Sequence, residues 1–305
     1  IIPGLSLDNV DQIESELNQL CKDFSMGNQI NIDKYDLFPA LKFSIETAFL
    51  SLKRNNSPFH LFDSDFTNKQ KGIFINGLIW MGDIEFMEKQ IRIKLKNGFN
   101  CLKLKIGGLD FETETSLIKK LRQKFSPDDL EIRLDANGAF CKNNALEKLE
   151  RLGNFSIHSI EQPIMPNQQQ EMAKLCELSP IPIALDEELI GVNLSSEREK
   201  LLDTINPHFL IVKPSFLGGF KDSNEWIHFA EKRNIKWWAT SALESNVGLN
   251  SIAQWVSTKN NELRQGLGTG MLFSNNIQSP LCIEKDAIFL KEHKKWDLNF
   301  FTRQA

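Results

Sequence analysis

From Gly72 onward the chain alternates short apolar runs with longer amphipathic stretches. The runs IFINGLI at 73–79, NCLKLKI at 100–106, EIRL at 131–134, IHSI at 157–160, PIAL at 182–185, FLIV at 209–212 and KWWA at 236–239 have the length and the β-branched or aromatic content of strands. Between them, IEFMEKQIRIKLKNG at 84–98 and FETETSLIKKLRQKF at 111–125 gather their apolar residues on one helical face. Strands that alternate with helices predict βαβ units and a parallel sheet. Before Gly72 the texture is helical. DNVDQIESELNQLCKDF at 8–24 and FPALKFSIETAFLSLKRN at 38–55 read as two helices, the second closed by Asn55-Asn56-Ser57-Pro58.

Charge enters this pattern at the strand ends. Lys103 and Lys105 lie two apart inside an apolar run, so a strand points both to one face. The following runs end at Asp135, Glu161, Asp186, Lys213 and Thr240-Ser241, at steps of 30, 26, 25, 27 and 27 residues from Lys105. A fixed period of this size marks a repeated supersecondary unit, and seven or eight βα units predict a (β/α)8-type barrel. In that fold strand ends converge on one mouth, and polar residues there serve chemistry. An open doubly wound sheet would spread the same charges along an edge, and the G-x-G-x-x-G fingerprint that favours it is absent after the first strand.

Three carboxylates brought together repel unless a cation neutralises them. Asp135, Glu161 and Asp186 offer oxygen only, which selects Mg2+ or Mn2+ over zinc. Glu187 and Glu188 compete with Asp186 for this role; strand alternation turns Glu187 to the other face, which favours Asp186. Lys105 and Lys213 then flank the ion, an arrangement suited to removing a proton beside a carboxylate. Lys103, one pleat below, would orient Lys105. Thr240, Ser241, Ser245 and the glycines from Gly266 to Gly270, Gly268 among them, fall where the seventh and eighth strands should open, where backbone N–H groups can hold a substrate carboxylate. Each feature also has a plain structural reading. Asn137-Gly138 can be a turn, Gly218-Gly219 a packing loop, Trp237-Trp238 core, and KEHKKW at 291–296 a solvated face. The five histidines show no H-E-x-x-H spacing.

Composition narrows the partners. With 36 Lys and Arg against 40 Asp and Glu in 305 residues, the net charge of −4 leaves no footprint for nucleic acid or an anionic membrane. No apolar stretch approaches the roughly 20 residues of a membrane span, and IIPGLSLDN lacks a basic-then-apolar leader. Five scattered cysteines without C-x-x-C fit a reducing cytoplasm. The expected partner is a small-molecule carboxylate; oligomeric state is left open.

KLK at 103–105, RLDANGAF at 133–140, IEQPI at 160–164, ALDEEL at 184–189 and IVKPSFLGG at 211–219 resemble the enolase superfamily, in its muconate-lactonizing-like branch. The resemblance spans nearly the whole chain. It implies an α/β fold, a (β/α)7β modified TIM barrel with an α+β capping domain, and assigns residues 1–70 to the remainder of that cap, 71–285 to the barrel and 286–305 to a segment returning to the cap. On this reading the sequence begins after the first cap strands, and IPGLSLD at 2–8 is the second cap loop. Carried over by position, the resemblance makes Lys105 the base, Asp135, Glu161 and Asp186 the Mg2+ ligands, and Lys213 the charge on the opposite face. IPGLSLD, SALESNVGL at 241–249 and QGLGTGMLF at 265–273 are most similar to the branch's dehydratases, which make 2-succinylbenzoate for menaquinone by syn loss of water. The same machinery can racemise N-acyl amino acids or cycloisomerise muconate, and a barrel without catalysis is the reading from another class. GLGTGM at 266–271 lacks the acidic D-x-D with which dipeptide epimerases hold an ammonium.

Overall fold

The computed structural model describes residues 1–54 and 58–299; the turn expected at Asn55 to Ser57 and residues 300–305 lie outside them. The N-terminal region is helical, with α1 at Val10–Ser25, a 3-10 turn at Ile32–Tyr35 and α2 at Pro39–Leu52. Then β1 (Ile73–Phe74) leads into β2 (Gly77–Ile79), and the units α3 (Ile84–Lys96), β3 (Cys101–Lys105), α4 (Phe111–Lys124), β4 (Glu131–Asp135), α5 (Ala145–Gly153) and β5 (Ser159–Glu161) follow. The succession goes on through α6 (Gln169–Leu178), β6 (Ile183–Leu185), α7 (Ser195–Ile205), β7 (Phe209–Val212), the short α8 (Pro214–Leu217), α9 (Phe220–Glu231), β8 (Lys236–Ala239) and α10 (Asn246–Ser257). The hairpin β9 (Leu281–Glu284) and β10 (Ala287–Leu290) completes the described elements.

Strands β2 to β8 form one sheet in chain order, every pair parallel. Gln265 and Gly266 close it. The Gln265 amide donates to Phe74 O and the Asn76 amide to Gln265 O on one side, while the Gly266 amide donates to Ala239 O and the Ser241 amide to Gly266 O on the other. The eighth position of this modified TIM barrel is therefore two residues long, too short to show as a hydrophobic run. The expected first strand at 73–79 is split: Ile73 and Phe74 pair antiparallel with β10, the segment around Ile75 bridges to Gln265, and pairing with β3 begins at Gly77. The hairpin β9–β10 thereby joins β1 in a small antiparallel sheet across the 285/286 boundary.

Register sorts the two faces of the barrel. Leu102, Leu104, Ile132, Leu134, Ile160, Leu185, Leu210 and Val212 join the main core beneath the helices. The alternate residues point inward. Lys103 pairs with Arg133 and Arg133 with Ser159; Lys105 pairs with Asp135 and Asp135 with Glu161. Ala184, Phe209, Ile211 and Trp238 fill the rest of the interior as a separate apolar cluster. Below them Arg133 plugs the barrel: its guanidinium lies 4.3 Å from the Trp238 ring centroid, with Nε 2.6 Å from Glu131 and Nη1 donating to Arg264 O. The polar residues of β3, β4 and β5 thus enter the barrel because the apolar half of the same strands faces the helices.

Local chemistry sets the helix starts that position the mouth. Asp83 caps α3 by accepting from the Phe86 amide, and Asp110 caps α4 by accepting from the Thr113 amide. Both helices end in basic turns, Lys94 and Lys96 in α3 and Arg122 and Lys124 in α4, matching the helix dipole. The buried Glu114 of α4 accepts from the amides of Gly107, Gly108 and Leu109 and so fixes the loop that leaves Lys105. The N-terminal helices seat on the barrel through α2. Phe43 meets Phe220 edge-on at 5.2 Å, Lys42 bridges Asp36 and Asp222, and Glu46 accepts from the amides at the start of α9. At the far end of the chain, Trp296 stacks on Phe59 at 4.2 Å.

Two outcomes are expected. Gly107 has φ +90°, and a Cβ there would lie 2.3 Å from Ala139 Cβ, so Gly107→Ala should lower stability in urea by about 1–3 kcal/mol. His158, beside Phe209 and Trp238, has its pKa pushed down from 6.5 to about 4 by burial, with Glu131 opposing. The unfolded chain therefore takes up this proton before the folded one, and the residue costs the fold nothing above pH 6.5 and progressively more toward pH 4. Replacing His158 with Gln should shrink the stability lost between pH 7 and pH 5 by about 1–2 kcal/mol, read from urea midpoints at both pH values.

Candidate active site

The inward faces of β3, β4 and β5 and the ends of β6 and β7 bring Lys103, Lys105, Asp135, Glu161, Asp186 and Lys213 together. Lys103 Nζ lies 2.9 Å from Asp135 Oδ2 and 2.6 Å from Glu161 Oε2. Lys105 Nζ is 2.9 Å from the same Asp135 oxygen. Lys213 pairs with Asp186 and stands 4.0 Å from Glu161 Oε1. The three carboxylates are at most 3% exposed. The lysines, by contrast, line a cavity of about 770 Å3 at the C-terminal mouth, together with Trp80, Asn137, Glu187, Thr240, Ser241 and Gly268.

Burial penalises the charges of Lys103, Asp135, Glu161, Asp186 and Lys213, and the neighbours oppose or reinforce it. For Asp135, the Lys103 and Lys105 ammoniums outweigh burial and hold its carboxyl well below the usual range. Glu161 goes the other way, pushed up to about 8 by burial and by the charge of Asp135, with Lys103 opposing. Asp186 is raised by burial in spite of Lys213. Burial works against Lys103 and Lys213 too, yet Asp135 and Glu161 hold the first, and Asp186 and Glu161 the second, above the ordinary lysine value.

These charges suit a divalent cation. Asp135 Oδ2 and both oxygens of Glu161 are buried without a hydrogen bond, although ammonium nitrogens approach them closely; the ion contacts lack hydrogen-bond alignment. Among the described residues no three Asp, Glu, His or Cys side chains stand together as a ready-made ion cage. Lys103 lies between Asp135 and Glu161, and Lys213 between Glu161 and Asp186. Oxygen donors of this kind, with ammonium groups as their only counter-charge, match the preferences of Mg2+ or Mn2+.

Sequence reasoning missed the groups around this cluster. Asn137 accepts from Lys105 Nζ at 2.6 Å and donates to Glu187 at 2.7 Å. Glu187 was expected to face away, but β6 stops at Leu185 and a 3-10 turn at Glu187–Leu189 begins, so strand alternation no longer applies and Glu187 reaches the cavity. Glu188 also lines the cavity, with its carboxylate accepting from the Asn167 amide and from Gln162 Nε2. Trp80, directly after β2, places its ring centroid 5.6 Å from Lys105 Nζ. The signal for it was available, because it ends the first barrel run as Lys105 ends the second. Thr240, Ser241 and Gly268 line the cavity, and Thr240 Oγ1 is buried without a partner. Ser241 accepts from Thr269 at 2.6 Å and donates to Glu244. Ser245 is not brought into the site; it begins α10 and lines a neighbouring cavity of about 720 Å3 against α2.

Comparisons with known proteins bear on the family and the fold. Residues 87–287 match the family described as enolase C-terminal domain-like. The chain is 46% identical to the o-succinylbenzoate synthase of Desulfotalea psychrophila, over 93% of this chain and 85% of that one. The crystal structure of MenC from the same organism superposes with a TM-score of 0.87 at 44% identity, covering 95% of this chain and 88% of that chain. An N-succinylamino acid racemase of Thermus thermophilus is 33% identical, but over 50% of this chain and 39% of its own length. The barrel, its layered interior and the match across two thirds of its length lead to one conclusion: the chain belongs to the enolase C-terminal domain-like family.

Proposed function

We propose that this chain is an o-succinylbenzoate synthase, a carbon–oxygen lyase that removes water from 2-succinyl-6-hydroxy-2,4-cyclohexadiene-1-carboxylate to give 2-succinylbenzoate in menaquinone biosynthesis. The observation that carries the reading is 46% identity with the Desulfotalea synthase across 93% of the chain. The cofactor is Mg2+, with Mn2+ as a substitute. No helix among the described residues is long and apolar enough to cross a membrane, and the five cysteines are free, which speaks for a cytoplasmic enzyme.

Asp135, Glu161 and Asp186 would hold the ion. Once bound, it supplies concentrated positive charge to the substrate carboxylate, so that the neighbouring C–H bond can break. Lys105 takes that proton. The electron pair left on carbon forms the new double bond and expels the hydroxyl from the adjacent carbon; Lys105 returns the proton to the departing oxygen, and water leaves. One base serves both transfers only when proton and hydroxyl share a face, which makes the elimination syn. Lys213, across the cavity, serves as an ammonium and opposes the negative charge that builds on the substrate. Lys103 steadies Asp135 and Glu161 from below. Thr240, whose hydroxyl is buried without a partner, and the backbone N–H of Gly268 face the succinyl carboxylate, and Ser241, its own donors held by Glu244 and Gly266 O, shapes the wall beside them.

Racemisation of N-succinyl amino acids is the second reading, favoured by the partial match to the Thermus racemase. It requires Lys213 as well as Lys105 to exchange protons.

With the cyclohexadiene substrate and Mg2+, Lys105→Ala should lower kcat by at least about a thousandfold in an absorbance assay. An active Lys105→Ala would remove Lys105 from the mechanism. If the native chain leaves this substrate untouched but exchanges the α-proton of N-succinyl amino acids in deuterated water, the racemase reading replaces the synthase. Dialysis against EDTA should abolish turnover and Mg2+ restore it, whereas Asp135→Asn and Glu161→Gln should stay at least about a hundredfold down at saturating Mg2+. Full activity after chelation would exclude a required ion.

A further inference from the structure

We propose that Asn137 and Glu187 act as a single positioning device that aims Lys105, and this rests on Lys105 being the base of the proposed reaction. The observations are geometric. Lys105 Nζ donates to Asn137 Oδ1 at 2.6 Å, and Asn137 Nδ2 donates to Glu187 Oε1 at 2.7 Å. A lysine only donates and a carboxylate only accepts, so the amide has one consistent orientation, with its oxygen toward Lys105. Glu187 fixes that orientation. Its other oxygen, Oε2, is buried without a hydrogen-bond partner among the described residues, so Asn137 makes the hydrogen bond that the carboxylate shows here. Asn137 itself is held at φ +42°, left-handed backbone that asparagine tolerates better than most residues.

The chemistry gives the device a purpose. Lys105 also touches Asp135 Oδ2 at 2.9 Å, and Trp80 lies over it at 5.6 Å. Two of the three positions on Nζ are thereby tethered, which leaves the third for the cavity that Lys105 lines. The tethers differ in kind. The pull of Asp135 depends on the lysine carrying its charge, whereas an amide oxygen accepts from ammonium and amine alike. Asn137 therefore keeps Lys105 in place across both halves of a proton transfer. Glu187 stands on the 3-10 turn after β6, so the device also ties the β3 side of the mouth to the β6 side.

The test uses the full chain with Mg2+ and the cyclohexadiene carboxylate. Asn137→Gly keeps the left-handed backbone and the backbone amide that donates to Asp135 Oδ1, and removes only the side chain. It should lower kcat about ten- to a hundredfold with KM within about threefold. Glu187→Leu should lose as much, the double variant no more than either alone, and Glu187→Gln, which keeps an accepting oxygen, should recover at least about tenfold over Glu187→Leu. A second readout does not depend on turnover. Acylation by an N-hydroxysuccinimide ester, read by peptide mass spectrometry, should be at least about threefold faster at Lys105 in Asn137→Gly and Glu187→Leu, with the exposed Lys119 of α4 as the internal control. An unchanged kcat, a loss confined to KM, losses that multiply in the double variant, or unchanged labelling would each overturn the proposal. If the native chain does not turn over the substrate, the synthase reading fails, and the labelling decides this inference alone.

Discussion

Three ammonium groups and three carboxylates share the inside of one barrel, and neither set is tolerable there alone. Isolated charges in such a place shift their protonation or destabilise the fold. Here each ammonium contacts at least one carboxylate, and Lys103 contacts two. This mutual neutralisation allows β3, β4 and β5 to present polar residues inward while their leucines and isoleucines build the core outside. It also leaves the cluster incompletely settled. Burial and the charge of Asp135 push Glu161 up, and its oxygens lack aligned hydrogen bonds, so the cluster can accept further positive charge.

The arrangement separates two tasks by depth. Lys103 lies lower in the barrel against Asp135 and Glu161, whereas Lys105, one pleat higher, is the more exposed of the two side chains. The floor repeats the same logic with other residues: Arg133 is balanced by Glu131 and covered by Trp238. Fold stability and site chemistry thus meet on alternate residues of the same strands. A lysine is accepted deep in the barrel because its partner carboxylate needs it as much as it needs the carboxylate.

Much of this was legible in the sequence, because charge at the end of an apolar run is conspicuous and its spacing repeats. Lys105, Asp135, Glu161, Asp186 and Lys213 stood out that way and the structure brings them together, while their roles rest on the resemblance to the enolase superfamily. The failures have physical causes. Glu187 was misplaced because alternation was extended past the end of β6 into a 3-10 turn. The split of residues 73–79 and the two-residue eighth position depend on long-range pairing with β10, β8 and the segment before β2, which no local pattern encodes. Ser245 lies only four residues beyond Ser241, but the intervening loop, with Leu243 at φ +63°, turns it into the next cavity.

If the proposed function holds, the carboxylate cluster exchanges its own lysines for a divalent cation. Anomalous scattering from crystals soaked in Mn2+ tests it most directly. One strong peak enclosed by Asp135, Glu161 and Asp186 is expected, with the Lys213 ammonium displaced from Asp186. Saturating Mn2+ that leaves Lys213 paired with Asp186 and gives no peak there would contradict it.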